Sequence, residues 1–509
     1  MGQTGGGNCG RKAGLLWRTD PDCAGFLYGN ARRSAPSGHS GGGRPAGRFG
    51  PFLVRMLTPD DFGIIAALSI FTALSNVLVD SGFSTALIRR QQNTDSEYSA
   101  TFFFNVALSI ILYLILWMFS NDIAGYFNIP QLNPLSRFVF LGIIINSFGI
   151  IPNVLLTRKM EFKAISIANL VSAVASAVLT ITLILVGYTY WAIAWQIVSL
   201  TAVRVTMLWI MCRWSPTSKP DFSVIRKIFS FSIFLLFTST INIIVKYIYN
   251  IKIPKVFSKE ELGYYDRARK FQDIPSMVVA GAITSVAYPI LSSHNNDPAK
   301  QLAFFRKIVR VISFLIFPIM LGLIGIIDNL TTVVLTDKWV NMIPYFQILC
   351  IAAIFMPFQS FCLITLNAIG KSNLNFILEL GRNLLTVVLF IFLSKTIKEM
   401  LWGFSLAMFV SYAVNMIVVG KRLGYSTIQH LKDILPYAAI SIVMAFITLL
   451  IGKLEVSIFT NGIYNLALIL IIQILAAMSF YLGVSFVLGS KVIKESIELI
   501  TSINKHSEI

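Results

Sequence analysis

Apolar runs of roughly 20 residues, separated by short polar stretches, recur along the chain from Phe62 to Leu488. A helix needs about 20 residues to cross some 30 Å of hydrocarbon, so each run predicts one membrane-spanning helix. A membrane β-barrel would show alternating segments of about ten residues instead. The pattern predicts an all-α polytopic membrane protein with about thirteen visible transmembrane helices. The predicted spans are 62–88, 101–121, 135–157, 164–187, 190–212, 228–250, 271–292, 308–335, 343–369, 374–394, 400–420, 434–452 and 463–489.

Composition agrees with this interpretation. The chain of 509 residues is 55% hydrophobic and 13% charged, whereas a soluble domain carries about 25% charged residues. Clusters of Lys and Arg follow every second span, as at Arg89–Arg90 and Arg158–Lys159, and the intervening connections are poorer in them. The positive-inside rule therefore predicts a cytoplasmic carboxyl terminus. The connection 251–270 is an exception, because it is basic and lies on the predicted outer face.

Other chemistries have little support in the sequence. The net charge of +18 is explained mainly by the cytoplasmic loops, so we expect no nucleic-acid partner. The five cysteines show no metal-site or disulfide spacing, and the four histidines fall outside the predicted spans. There is no P-loop pattern. We expect no metal, no cofactor and no enzymatic activity.

The first 54 residues differ from the rest of the chain. They are rich in Gly and Arg, and residues 1–50 contain no Ile, which is common after residue 50. Thirteen spans with a cytoplasmic carboxyl terminus would place residue 61 outside the cell, so one more helix is expected before it. One hypothesis is that residues 1–54 are a frameshifted or otherwise non-native segment in place of a first helix. The alternative is a genuine disordered tail.

Several motifs resemble one family. They are "RMLTPDDFG" at 55–63, "LLTRKMEFKAISIANL" at 155–170, "ELGYYDRARKFQDIP" at 261–275, "AYPILSS" at 287–293 and "TLNAIGKSN" at 365–373. In this order they resemble bacterial polysaccharide exporters, including O-antigen flippases, of the multidrug/oligosaccharidyl-lipid/polysaccharide (MOP) exporter superfamily. The resemblance runs from about Arg55 to the carboxyl terminus.

The resemblance implies fourteen helices in two facing lobes, with the first helix missing or replaced here. The implied function is a flippase that moves an undecaprenyl-diphosphate-linked oligosaccharide across the inner membrane for lipopolysaccharide, capsule or exopolysaccharide synthesis. The implied partners are this lipid-linked oligosaccharide, membrane lipids, a proton or sodium gradient, a polysaccharide polymerase and chain-length proteins. The predicted divisions are the segment 1–54, an amino-terminal lobe 55–212, a basic linker 213–227, a carboxy-terminal lobe 228–421, two additional helices 434–489 and an amphipathic cytoplasmic tail 490–509.

Such a substrate needs cations for its diphosphate. Arg267, Arg269 and Lys270 lie at the predicted start of the seventh span, and Arg binds phosphate bidentately. Lys246, in the preceding span, is a fourth candidate. The alternatives are that the first three pair with nearby acids in a surface loop, and that Lys246 extends to the membrane surface.

Coupling to an ion needs charges within the spans, which are costly there. Glu379 and Arg382 are three residues apart and can pair on one helix face. Asp80 is a lone acid in the first span. These three are candidates for ion coupling. The alternatives are a structural salt bridge for the pair and a bend with Gly82 for Asp80.

Sugars need hydrogen bonds and stacking surfaces. Tyr247, Tyr249, Asn242 and Asn367 are candidates for lining such a cavity. The alternatives are an interfacial aromatic belt for the tyrosines and helix-to-helix hydrogen bonds for the asparagines.

Three other functions remain open at this point. A multidrug or organic-cation antiporter of the same superfamily would need acids in its cavity, whereas the cluster near the membrane here is basic. A membrane-embedded glycosyltransferase or polymerase would need a larger loop than the sequence contains. A truncated, non-functional flippase is the third alternative.

Overall fold

The helices run almost without interruption through the described part of the chain. The computed structural model describes residues 54–80, 82–90, 93–216, 223–293, 297–454 and 462–495, all within one unit of residues 40–509. Residues 1–53, residues 217–222 of the predicted linker and residues 496–509 of the predicted tail lie outside these ranges.

The first nine α-helices described are α1 (Pro59–Ala67), α2 (Ser69–Asp80), α3 (Phe83–Arg89), α4 (Asp95–Met118), α5 (Ser120–Phe127), α6 (Leu132–Arg158), α7 (Phe162–Leu185), α8 (Tyr190–Cys212) and α9 (Ser223–Val256). The others are α10 (Lys259–Ser293), α11 (Pro298–Leu330), α12 (Ile343–Ala368), α13 (Ser372–Phe392), α14 (Ile397–Leu423), α15 (Thr427–Gly452) and α16 (Gly462–Val487). A π-helical turn (Thr331–Leu335) and a 3₁₀ helix (Asp337–Met342) join α11 to α12.

The predicted all-α polytopic membrane fold is confirmed. Among the described residues, 12 helical stretches are long and apolar enough to cross a membrane. The first of them is the run Pro59–Arg89, which is broken into α1, α2 and α3. The sixth predicted span, 228–250, lies within α9, a 34-residue helix that includes side chains outside the described set.

Local signals in the sequence explain where several helices begin. Thr58 caps α1 and forms a capping box with Asp61, and Thr94 does the same for α4 with Glu97. Such boxes satisfy backbone N–H groups that have no partner within the helix. Gly424 ends α14 with φ of 71°, a left-handed conformation that favours glycine.

Helices α15 and α16 pack along α11. The Gln473 side chain of α16, 1% exposed, donates to the Thr448 carbonyl oxygen (2.8 Å) and accepts from Asn329 (3.0 Å). Tyr481 of α16 donates to the Phe314 carbonyl oxygen at 2.9 Å. These contacts join α16 to α15, and to α11 at its middle and near its carboxyl end.

An ion pair fixes the other end of α15 to α11. Arg306 contacts Asp433 through two nitrogens, Nε to Oδ2 at 2.8 Å and Nη2 to Oδ1 at 3.2 Å. Tyr425, in the turn before α15, donates to the same carboxylate at 2.9 Å. Burial is the larger cause and this hydrogen bond the second of a pKa of Tyr425 above its ordinary value, so the phenol stays a donor. His430, predicted to lie outside the spans, is buried in the first turn of α15 and bonds Tyr412.

Helices α1 and α10 cross in backbone contact at two glycines. A Cβ atom on Gly63 would lie 2.7 Å from the Lys259 carbonyl carbon, and one on Gly263 would lie 2.7 Å from the Pro59 carbonyl carbon. Neither position has room for a side chain, since real Cβ atoms essentially never come within 3.0 Å of another heavy atom. We call this contact the α1–α10 crossing. It depends on the absence of a Cβ in both helices.

Polar and aromatic contacts surround the α1–α10 crossing. Lys259 pairs with Asp60 at 2.9 Å, and Asn250 of α9 donates to the Ala66 carbonyl oxygen at 3.0 Å. The Trp339 ring, 0% exposed, packs on Phe62 with centroids 5.6 Å apart. At this end of the molecule, helices α9 and α10 are therefore joined directly to α1.

Candidate functional site

The charged residues of α10 lie deeper than the sequence suggested. The predicted loop 251–270 is wrong: α9 extends to Val256 and α10 begins at Lys259. Arg267, Arg269 and Lys270 are therefore eight to eleven residues inside a helix, or about 12–17 Å along its axis. Lys246 is ten residues before the end of α9, or about 15 Å. Charges at such depth usually line a cavity or pair with one another.

Arg269 joins α10 to α9. Its Nη1 donates to the Lys246 carbonyl oxygen at 2.7 Å and also bonds the Tyr265 hydroxyl. The guanidinium lies over the rings of Tyr265 and Phe404, at 5.8 and 5.9 Å from their centroids. The Asp273 carboxylate is in electrostatic reach of both Arg269 and Lys246. The structure thus brings two of the predicted diphosphate ligands together.

Arg267 and Lys270 share one acid; the alternative interpretation expected such pairing in a surface loop, whereas the structure has it within α10. Asp266 contacts Arg267 Nη2 at 3.1 Å and Lys270 Nζ at 2.8 Å. Lys270 keeps 55% of its side chain exposed, whereas Arg267 keeps 15% and lies over the Phe62 ring at 3.9 Å. Lys270 can therefore reach a ligand, while Arg267 is packed beside the α1–α10 crossing. We call Lys246, Arg269 and Lys270 the cation site.

Glu379 and Arg382 form the predicted pair, with Oε1 and Nη2 3.5 Å apart. Asn242 of α9 joins them: its Nδ2 donates to Glu379 Oε1 at 3.0 Å, and its Oδ1 accepts from Arg382 at 3.4 Å. Asn383 also donates to Asn242 Oδ1, at 2.6 Å. We call Asn242, Glu379, Arg382 and Asn383 the amide network. It connects α9 to α13.

The predicted sugar-contacting tyrosines differ in environment. Tyr247 is partly buried beside Lys246, whose Nζ lies 5.6 Å from its ring centroid. Tyr249 is 1% exposed and packs against Tyr265 and Phe390, with centroids 5.7 and 5.0 Å apart. In this conformation Tyr249 belongs to the core, so a sugar could touch it only if that packing opened.

Two predicted residues lie apart from the cation site. Asp80 accepts hydrogen bonds from the backbone N–H and hydroxyl of Ser84, across Gly82, whose φ is 72°. This geometry favours the alternative in which Asp80 holds the bend between α2 and α3. Asn367, near the end of α12, accepts from Asn375 of α13 at 3.0 Å and so joins two helices.

Sequence reasoning missed Asn383 and the two glycines of the α1–α10 crossing. Asn383 could have been found, because Asn375, Glu379, Asn383 and Thr386 follow a helical period of three or four residues. The glycines could not, because no local pattern shows which of 33 glycines approaches another helix.

Comparison with known sequences gives a consistent result. A family model described as polysaccharide biosynthesis protein matches residues 52–344, more than half of the chain. The chain is 25% identical to the teichuronic acid biosynthesis protein TuaB of Bacillus subtilis (strain 168), over 61% of this chain and 65% of that protein. It is 23% identical to the succinoglycan biosynthesis transport protein ExoT of Rhizobium meliloti (strain 1021), over 61% and 63%. It is 23% identical to the lipopolysaccharide biosynthesis protein WzxC of Escherichia coli (strain K12), over 59% and 62%. The matched part spans less than two thirds of each relative.

Comparison with solved structures concerns the fold. The lipid II flippase MurJ in an inward closed conformation superposes with a TM-score of 0.66 at 17% identity, over 87% of this chain and 97% of that chain. An inward-facing multidrug resistance transporter of the MATE family gives 0.62 at 14% identity, over 77% and 98%. Taken with the motifs and the membrane helices, these matches show that the chain belongs to the polysaccharide biosynthesis protein family and has the fold of the MOP superfamily.

Proposed function

We propose that this protein is a flippase for an undecaprenyl-diphosphate-linked oligosaccharide in the bacterial inner membrane. The observation that carries the proposal is the cation site, where Arg269 donates to the Lys246 carbonyl oxygen at 2.7 Å and Lys270 follows Arg269 in α10, each well inside its helix. The printed names of the relatives support it, because they concern the synthesis or transport of teichuronic acid, succinoglycan and lipopolysaccharide.

The charge around the site favours an anionic substrate. Near it lie the cations Lys246, Arg267, Arg269, Lys270 and Arg382 and the acids Asp266, Asp273 and Glu379. The excess of two positive charges matches a diphosphate that links a lipid to a sugar, which carries two negative charges. An organic-cation antiporter would need the opposite sign in this place. The lysine and arginine side chains of the cation site can neutralise the diphosphate while it leaves water.

The mechanism follows from how the helices meet. In the closed arrangement, the α1–α10 crossing seals the end at which α1 begins. We place this end on the outer face, with the carboxyl terminus cytoplasmic, because most of the basic connections lie at the other end. The substrate would enter from the cytoplasm, and separation of the amino-terminal helices from the carboxy-terminal ones at the crossing would release it outside. A proton or sodium gradient would supply the energy, and a polymerase with chain-length proteins would use the product. No bond is broken in this process.

A genetic test addresses the function. In cells that lack this protein, lipid-linked oligosaccharide should accumulate, and expression of the wild type should clear it. Lys246→Glu reverses one charge of the cation site and should leave at least about tenfold more intermediate, since the lost and repelled charges cost on the order of 1.5–3 kcal/mol. Lys395→Glu, in the exposed turn between α13 and α14, is the matched control and should clear normally. Clearance by Lys246→Glu at the wild-type rate, or no accumulation in the deletion strain, would contradict the proposal.

A further inference from the structure

The inner face of α13 is polar. Asn375, Glu379, Asn383 and Thr386 recur every three or four residues and are buried or partly buried. The opposite face is apolar, with Ile377, Leu384 and Ile391 each about 60% exposed. A helix that turns its apolar side outward and its polar side inward is typical of a membrane protein with a polar interior.

The amide network on this face has capacity for a ligand. The side chains of Glu379 and Arg382 are 25% and 24% exposed. A guanidinium has five N–H donors and a carboxylate can accept about four hydrogen bonds, more than are used by their mutual contact, by Asn242 and by the bond from Arg382 to Asn383 Oδ1 at 3.4 Å. Asn383, 5% exposed, holds Asn242 Oδ1 at 2.6 Å. The network thus offers both donors and acceptors, with no net charge.

The amide network is adjacent to the cation site. Asn242 and Lys246 are four residues apart in α9, so their Cβ atoms lie on one face about 5–6 Å from each other. Arg269 is bonded to the Lys246 backbone. A diphosphate held by Lys246 and Arg269 would therefore place the group attached to it beside Asn242. In a lipid-linked oligosaccharide that group is the first sugar.

We infer that Asn242, Glu379 and Arg382 form a subsite for the sugar attached directly to the diphosphate, and that Asn383 is its positioning residue. This inference rests on the proposed function. It assigns Glu379 and Arg382 to hydroxyl groups of a sugar, whose ring presents both donors and acceptors, rather than to a coupling ion. A neutral network suits this ligand, because it binds hydroxyls without competing for the phosphates.

Binding measurements with two different lipids distinguish the sugar subsite from the cation site. Binding to the purified full-length chain is measured with undecaprenyl diphosphate and with the lipid-linked oligosaccharide extracted from the deletion strain. Asn383→Ala should weaken binding of the sugar-bearing lipid about five- to thirtyfold and leave undecaprenyl diphosphate within twofold. Lys246→Ala should weaken both. If Asn383→Ala fails to fold, Asn242→Ser replaces it in the same binding experiment. Asn242 is partly exposed, and its substitution leaves α13 intact.

The outcomes are distinct. If the asparagine variants lose the same factor of affinity for both lipids, or lose affinity for neither, the sugar subsite is overturned. If Lys246→Ala changes neither lipid while Asn383→Ala is selective, the subsite stands and the diphosphate site is wrong. If the wild type binds neither lipid better than phosphatidylcholine, the proposed function fails, and the subsite fails with it.

Discussion

Replacement of Arg269 by alanine is expected to slow translocation of the lipid-linked oligosaccharide about 10- to 150-fold. The reason is the loss of a charge-assisted hydrogen bond to phosphate, worth about 1.5–3 kcal/mol. The translocation rate of Arg269→Lys should fall between those of the wild type and Arg269→Ala, because lysine keeps the charge but lacks the planar fork that binds phosphate bidentately. The rate of clearance at matched protein levels measures both variants.

Two further variants decide whether this effect comes from the substrate or from the fold. Tyr265→Phe removes the hydroxyl that Arg269 bonds and keeps the guanidinium, so it should slow clearance less than about threefold. Arg422→Ala removes an exposed arginine in the last turn of α14 and should have no effect. If Tyr265→Phe is as harmful as Arg269→Ala, Arg269 acts only as a structural bridge between α9 and α10.

Replacement of Gly263 by alanine is expected to open the α1–α10 crossing. The new Cβ would overlap the Pro59 backbone, which no rotamer change can relieve. Overpacking of this kind costs about 1–3 kcal/mol or more, so the closed state should lose about 5- to 150-fold in population. Ala66→Cys, in a background without the five native cysteines, reports this opening, since Ala66 is 1% exposed. A membrane-impermeant thiol reagent added outside should label it faster.

Gly281 offers a matched control on the same helix. A Cβ atom at Gly281 would meet nothing within 4 Å, so Gly281→Ala should leave labelling of the reporter cysteine unchanged. Equal labelling in Gly263→Ala, Gly281→Ala and the parent would show that the crossing is not the seal. Faster labelling from the cytoplasmic side alone would show that the proposed orientation is reversed.

The sequence predicted those features that depend on one helix at a time. The spans followed from hydrophobic length, and the Glu379–Arg382 pair followed from a spacing of three residues, which fixes both side chains to one face. Lys270 also pairs with Asp266 within a single helix. Each of these is determined by local geometry.

Features that depend on two distant helices could not be predicted. The start of α10 was placed too late because "KEELGYYDRARKFQD" is polar enough to be interpreted as a loop. Its charges are instead satisfied inside the structure, by Asp266, by the Lys246 backbone and by the Phe62 ring. Asn242 was a candidate for the cavity, but only the approach of α9 to α13 brings it to Glu379. Burial of Tyr249 likewise depends on residues more than a hundred positions away.

The central claim is that the cation site carries a lipid-linked diphosphate across the bilayer. The most direct measurement uses the purified chain in liposomes that contain a fluorescent undecaprenyl-diphosphate sugar in both leaflets. A membrane-impermeant reductant quenches the outer leaflet only. With the wild type, and with the ion gradient imposed, the protected fraction should fall towards zero, and with Arg269→Ala it should fall about 10- to 150-fold more slowly. A protected fraction near half with the wild type under each gradient, or an equal loss for fluorescent phosphatidylcholine, would contradict the claim.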